Sequence, residues 1–182
     1  MWTWLFLAAV AAVLVFSFVI LFGAPFLPTL RARTPEALDL LDLKPGQTLL
    51  ELGSGDGRIL REAARRGIRG IGYELNPVLV AYSRLLNWRY RKLVTVHLGN
   101  YWRTTWPPAD AIYVFLLNPF MEKLNKKITQ DIRGDVKVLS FAFPIPGKQP
   151  VKELNGLMLY EYHQAATSVT SKKAAAKGKA AA

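Results

Sequence analysis

The chain has 182 residues, 51% of them hydrophobic, which allows one domain of ordinary size plus appendages. It carries 24 basic and 13 acidic side chains, a net charge of +11, and all of them lie from Arg31 onward. With no cysteine and only His97 and His163, disulfides, cysteine-based metal sites, a cysteine nucleophile and a histidine-rich metal centre are excluded.

Residues 1–22 are an apolar run whose only polar side chains are Thr3 and Ser17, apart from the indole N–H groups of Trp2 and Trp4. A helix of that length spans roughly 33 Å, enough to cross the hydrocarbon core. Trp2, Trp4 and Phe26 stand near its ends, where aromatic rings favour the interface, and Gly23 and Pro25 stop it. A cleaved signal peptide needs a basic leader and a shorter apolar stretch. No Lys or Arg precedes Arg31, so residues 1–24 read as an uncleaved transmembrane anchor. Arg31 and Arg33 follow at once, which places the remainder on the cytoplasmic side with the N-terminus out. The expected location is a bacterial inner membrane rather than an organelle.

Residues 25–165 then read as one domain. Thr34-Pro35-Glu36 is a helix start, with a Thr cap, Pro at the first helical position and an acid in the first turn; the helix should reach Leu43. Lys44-Pro45-Gly46 breaks it, and residues 48–52 form a short buried strand. Residues 59–66 are helical, stopped by Gly67. A strand over 70–74 leads to a helix from Pro77 to about Arg91, with Val78, Tyr82, Leu85 and Leu86 on one apolar face. Residues 94–98 and 111–117 are strands, the latter apolar throughout and therefore central. A helix with Phe120, Leu124 and Ile128 facing inward precedes a fifth strand over 136–143. Asn155-Gly156 joins residues 151–154 to 157–162 as a hairpin. Strands alternating with helices make an α/β fold with a mostly parallel sheet, and the hairpin adds antiparallel strands at one edge. Residues 166–182 are a tail, Lys/Ala-rich toward the end, expected to be disordered.

Chemistry concentrates between the first strand and the second helix, in Glu51-Leu52-Gly53-Ser54-Gly55-Asp56-Gly57. Glycine lets the backbone turn tightly and approach a ligand, and the helix beyond presents free N–H groups. Alone, such a loop also fits a plain strand-to-helix turn. Glu74, however, ends the second strand, where an acid accepts hydrogen bonds from ribose hydroxyls. A dinucleotide site follows G-x-G-x-x-G, whereas this loop is E-x-G-x-G-x-G. Glu51 and Asp56 would repel a pyrophosphate, but they suit a phosphate-free cofactor with a sulfonium and an ammonium group. The charge favours S-adenosylmethionine over NAD, with no metal required.

These residues resemble class I S-adenosylmethionine-dependent methyltransferases. More narrowly, the chain is similar to the membrane-anchored protein-lysine methyltransferases that modify the adenine nucleotide translocase and the ATP synthase c-subunit. The resemblance rests on P-F-L-P-T (25–29), E-L-G-S-G-D-G-R (51–58), G-Y-E-L-N-P (72–77) and F-A-F-P-I-P (141–146). It implies a Rossmann-like methyltransferase sheet preceded by one transmembrane helix. It also implies that Glu51, Gly53, Gly55 and Gly57 form the methionine end of the cofactor site, with Ser54 and Asp56 also binding cofactor, and that Glu74 holds the ribose. Leu75, Asn100 and Tyr101 would meet the adenine, although the family more often has Asp-Leu-Trp where Asn100-Tyr101-Trp102 stands. Thr29 and its neighbours would lie over the cofactor, and residues 115–120 would wall an aromatic channel. Asn118-Pro119-Phe120 resembles the N-P-P-Y loop of amide and adenine methyltransferases without one proline, which makes Asn118 a candidate catalytic residue or a helix-capping turn.

Three functions stay open: methylation of a lysine on a membrane or membrane-adjacent protein, methylation of an aminolipid or quinone-type molecule, and a non-catalytic nucleotide-binding scaffold held to membrane lipid by its N-terminal helix. Basic residues on two helices (Arg61, Arg65, Arg66 and Arg69; Arg84, Arg89, Arg91 and Lys92) fit a solvated face or attraction to anionic lipid. The net charge also suits a polyanion, but no RNA-binding module is recognisable, so nucleic acid is not the expected partner.

Overall fold

The structure, a computed structural model, describes residues 2–7, 9–10, 13 and 33–163. Their elements in chain order are α1 (Arg33–Leu41), β1 (Thr48–Leu52), α2 (Arg58–Arg65), β2 (Arg69–Glu74), α3 (Pro77–Leu86), β3 (Val94–Leu98), β4 (Ala111–Val114), α4 (Met121–Asp131), β5 (Val136–Phe141), β6 (Lys152–Leu154) and β7 (Leu157–Tyr162). They build one seven-stranded sheet in the order β3-β2-β1-β4-β5-β7-β6. β1 to β5 pair in parallel; β7 runs antiparallel to both β5 and β6. The expected α/β architecture with a C-terminal antiparallel hairpin is what the chain forms. Asn155 and Gly156 both adopt positive φ, 52° and 79°, the geometry of a type I′ hairpin turn.

The apolar strand β4 is the middle strand, as its composition requires, and all four of its residues are buried. It is shorter than expected, because residues 115–117 leave the sheet. Helices cover both faces. Ala37, Leu38 and Leu41 of α1 and Ile59 and Ala63 of α2 pack on Leu49, Tyr113, Leu139 and Leu159. On the other face Met121, Leu124 and Ile128 of α4 meet Leu50, Leu52, Ile112, Val114 and Val138. Burial of such side chains contributes about 1.5–3 kcal/mol each, the main force holding the layers together. Met121 rather than Phe120 fills the innermost position of α4; Phe120 sits half-buried in the turn before it.

The stop at Gly67 is a Schellman motif: Gly67 N donates to Ala64 O at 3.1 Å and Ile68 N to Ala63 O at 3.0 Å. At α1 the expected Thr34 cap does not form. Thr34 lies within the helix, buried, with its hydroxyl lacking a partner among the described residues, and the helix ends at Leu41, before Asp42 at φ 45°.

The larger correction concerns α3. It ends at Leu86 instead of Arg91, and Trp88–Tyr90 form a separate 3-10 turn. Its apolar stripe does not face inward: Val78, Tyr82, Leu85 and Leu86 are exposed, while Val80 and Ser83 are buried and Asn87 follows them inward. Close packing explains the reversal. A Cβ on Gly57 would collide with Ser83 Oγ and come within 2.6 Å of Asn87 Nδ2. Only small or hydrogen-bonding side chains fit so near the α2 backbone, where Asn87 Nδ2 donates to Ser83 O at 2.8 Å.

Among the described residues no helix is long and apolar enough to cross a membrane. Most of the expected anchor, the segment containing Thr29, and the tail lie outside the described residues.

Candidate cofactor site

The site forms where the sheet changes direction. From β1 the chain proceeds outward through β2 and β3, then returns to place β4 on the other side of β1. Clefts at the carboxyl ends of strands at such a switch point bind ligands, because neighbouring connections diverge there.

The glycine loop leaves β1 after Leu52. Gly53 N and Ser54 N both donate to Tyr73 O, at 2.9 and 3.0 Å, and Gly57 N donates to Ser54 O at 2.8 Å. The loop is thereby fastened to β2. Gly72 makes this possible: a Cβ there would lie 2.7 Å from both Ser54 Cβ and Leu60 Cδ1. Gly72 opens the G-Y-E-L-N-P segment, and its role is close approach of loop and helix to the strand.

Glu74 is 8% exposed and its carboxylate organises the cleft. One oxygen accepts Gly55 N at 2.8 Å; the other accepts Leu75 N and Asn76 N, both at 2.9 Å. The oxygens retain lone pairs for further donors such as vicinal hydroxyls. Asn76 caps α3, accepting Val78 N at 2.9 Å and Leu79 N at 3.4 Å, and so fixes the turn that carries Leu75. The pattern Asn-Pro before an apolar run was the signal for that cap.

Glu51 points from β1 toward the α2 side, the side to which Leu49 also projects by strand alternation. It is buried, and its Oε2 has no hydrogen-bond partner among the described residues; the same is true of Ser54 Oγ. Burial, and then the nearby Asp56 and Glu74 carboxylates, push the Glu51 carboxyl well above the usual carboxylate range, against a smaller opposing contribution from the Leu60 amide. Asp56, expected to join Glu51 in receiving a cation, is already paired. Burial raises its carboxyl, but the Arg58 guanidinium, at 2.9 and 3.0 Å, outweighs burial and holds it below its ordinary value. Glu51 is therefore the acid beneath the loop that has no ion-pair partner among the described residues. Arg58, two residues from Asp56 in the same motif, was the legible sign of this.

Beyond β3, Asn100 Oδ1 accepts Trp102 N at 2.9 Å and caps the 3-10 turn Tyr101–Arg103. The oxygen expected to meet an adenine amine thus already holds its own turn, with a lone pair to spare. Burial, and secondarily the Glu74 charge, raise the Tyr101 hydroxyl above the usual tyrosine value. Trp106 Nε1 donates to Tyr101 O at 2.9 Å and steadies the turn.

Beyond β4, Asn118 lies in the exposed 3-10 turn Asn118–Phe120. Its side chain caps nothing and makes no hydrogen bond with the described residues. An aromatic series links this turn to the Tyr101 side: Tyr101 to Trp102 at 4.8 Å and Trp102 to Phe120 at 6.3 Å between centroids. Phe115 meets Phe141 edge-on at 4.8 Å. After β5, Ala142 adopts φ 68°, a left-handed conformation costing of order 1–3 kcal/mol for a side-chain-bearing residue. It is held by Ala142 N donating to Gly156 O at 2.8 Å and Ser140 Oγ donating to Phe143 O at 2.6 Å. Nothing in the local sequence marks that strain.

The residues present fit S-adenosylmethionine. The Glu51 Oε2 and the Ser54 hydroxyl, without partners among the described residues, offer a buried carboxyl and a hydroxyl to an ammonium group. Glu74, at the end of β2, keeps acceptor capacity for hydroxyl donors beside its three amide bonds. Fold and site together define a methyltransferase domain of the Rossmann-like, S-adenosylmethionine-dependent class. Residues 51–152 match the model of the ANTKMT methyltransferase domain, and the chain belongs to that family.

Among its relatives, the human (Homo sapiens) ATP synthase c-subunit lysine N-methyltransferase is 33% identical over 128 residues, 69% of this chain and 54% of that protein. The adenine nucleotide translocase lysine N-methyltransferase of Mus musculus is 32% identical over 154 residues, 81% of this chain and 67% of that protein. An RNA methyltransferase from Salinibacter ruber, solved in complex with S-adenosyl-L-homocysteine, superposes with a TM-score of 0.69 at 28% identity, covering 75% of this chain and 93% of that one. The chain spans about half the length of the ATP synthase c-subunit lysine methyltransferases that it matches.

Proposed function

We propose that this chain is a membrane-anchored methyltransferase that transfers methyl groups from S-adenosylmethionine to a lysine amine of a membrane or membrane-adjacent protein. The observation that carries the reading is the pair Glu51 and Glu74: one a buried acid whose Oε2 has no partner among the described residues, the other an acid at the end of β2 that accepts Gly55 N of the glycine loop. The relatives named for lysine methylation of two membrane proteins support the substrate class, and the apolar residues 1–22 support the anchor, with the domain on the cytoplasmic side.

When bound, the cofactor supplies a methyl carbon already activated by its sulfonium. The protein's part is to position and desolvate the acceptor. Glu51 and Ser54 hold the amino-acid end, with Gly53, Gly55 and Gly57 leaving room for it. Glu74 orients the ribose, Leu75 and Tyr101 border the adenine, and Asn100 keeps the Tyr101 turn in place. A lysine must lose a proton to become nucleophilic, and an apolar aromatic wall favours its neutral form. Trp102 and Phe120, next to the Asn118 turn, provide such a wall, and the unengaged Asn118 amide can accept a hydrogen bond from the amine. Thr29 and the segment around it are assigned to the cofactor cover by the resemblance.

A second reading, methylation of RNA, has the Salinibacter ruber neighbour and the net charge of +11 in its favour. Both readings are tested at once by incubating the full chain with methyl-labelled S-adenosylmethionine, membranes and total RNA. Label in lysines of a membrane protein is the expected outcome. Label confined to RNA replaces the lysine reading by the second, and label confined to lipid extract replaces both.

A further inference from the structure

We propose that the outward face of α3 is a lipid-contact surface that lies against an anionic membrane, separate from residues 1–22. Four large apolar side chains stand in solvent on α3 and the turn after it: Val78 at 65%, Tyr82 at 50%, Leu85 at 72% and Trp88 at 66% exposure. The fold does not require this. The inner face of α3 is fixed by Ser83 and Asn87 against Gly57, and any polar residue could occupy the outer one. Four apolar side chains side by side, with polar ones turned inward, mark a surface that something outside the domain covers.

Charge identifies the cover. Between Glu74 and Asp110 the chain has no acidic residue, while Arg84, Arg89, Arg91 and Lys92 flank the apolar stripe. Arg89 and Lys92 are exposed and form no ion pair among the described residues. Arg84 donates to Val96 O at 2.6 Å, and the Arg91 guanidinium lies 4.8 Å over the Trp88 ring. Both border a groove of about 440 Å³ between α3 and the edge strand β3. A second copy would bring the same basic face into contact with itself and be repelled. The apolar residues 1–22 would cover the stripe and leave the cations unmatched. An anionic bilayer satisfies both parts: apolar side chains enter the acyl boundary, Trp88 sits at the headgroup level, and the basic residues meet lipid phosphates. Because α3 starts three residues after Glu74, such docking holds the cofactor cleft beside the membrane.

The chain's lack of cysteine makes the test direct. A fluorophore is placed through Leu85→Cys on the full chain, which is incorporated into phosphatidylcholine vesicles with or without phosphatidylglycerol, both containing nitroxide-labelled lipid. Parallel proteins carry the label through Lys126→Cys on α4, on the other face of the sheet, or through Leu5→Cys to report on the N-terminal segment independently. The Leu85 label should be quenched in the anionic vesicles, and this quenching should be lost in pure phosphatidylcholine and on adding Arg89→Glu with Lys92→Glu. The Lys126 label should stay unquenched in both. A Leu85 label quenched no more than the Lys126 label overturns the proposal. So does one already shielded from an aqueous quencher before lipid is added, which would show that another segment or a second copy covers the face. Methyl transfer does not enter the readout, so a failed function assay and a failed lipid contact remain distinguishable.

Discussion

Gly55 donates its amide to the Glu74 carboxylate at 2.8 Å, across a sequence separation of 19 residues. This bond joins the glycine loop to β2, so one side chain sets the loop and the end of that strand relative to each other. Replacing Glu74 by Ala leaves three backbone amides without that acceptor. Bonds to a charged acceptor contribute about 1.5–3 kcal/mol each, so Glu74→Ala should weaken S-adenosylmethionine binding by at least about tenfold and lower Tm. Isothermal titration with parallel thermal denaturation measures both; unchanged affinity would remove Glu74 from the site.

Glu51 predicts a pH dependence. Its ordinary value is 4.5, and burial raises it in the folded chain. The fold thus favours the protonated acid: the stabilising contribution is complete below 4.5 and is lost as pH rises through the raised folded value. The cofactor-free wild type should lose Tm as pH rises above the ordinary carboxylate range, and Glu51→Gln should flatten that loss while weakening binding of the cationic cofactor. A Tm profile for Glu51→Gln that parallels the wild type would show that Glu51 is not the buried, raised acid.

Much of this was legible along the chain, for a physical reason. The loop, Glu74, the Schellman stop at Gly67, the central β4 and the Asn155-Gly156 hairpin all rest on local backbone chemistry or strand composition, which neighbouring residues encode. The orientation of α3 was not legible. Apolar periodicity shows that a helix has a stripe but not which side another helix will press, and Ser83 and Asn87 acquire their meaning only from Gly57, 26 and 30 positions away. The strain at Ala142 is hidden similarly, because its hydrogen-bond partner, Gly156, sits in the hairpin. Asp56 and Arg58, by contrast, stood within one motif.

Gly57 serves two demands, φ of 69° and contact with Ser83 and Asn87. Gly57→Ala should therefore destabilise the cofactor-free domain by about 1–3 kcal/mol, read as a drop in Tm. Adding Ser83→Ala should recover only the part due to crowding by the serine hydroxyl. Full recovery would mean that the backbone conformation costs nothing there.

Asn118 should affect turnover without affecting cofactor affinity. Its side chain is exposed and caps no helix, so Asn118→Ala should leave stability within about 0.5 kcal/mol of the wild type. The kcat for methyl transfer should fall by about tenfold to a hundredfold if its amide positions the acceptor amine. Equal kcat in mutant and wild type would assign the residue to the surface.

On the proposed function, Glu51, the glycine loop and Glu74 together take a cationic, phosphate-free nucleoside. Titrating S-adenosylmethionine and NAD separately into the folded wild-type chain tests it most directly. Saturable one-to-one binding of S-adenosylmethionine, weakened in Glu51→Gln and in Glu74→Ala, with no binding of NAD, is the predicted result. Binding of NAD in preference, or no saturable binding of S-adenosylmethionine by the folded wild type, would contradict it.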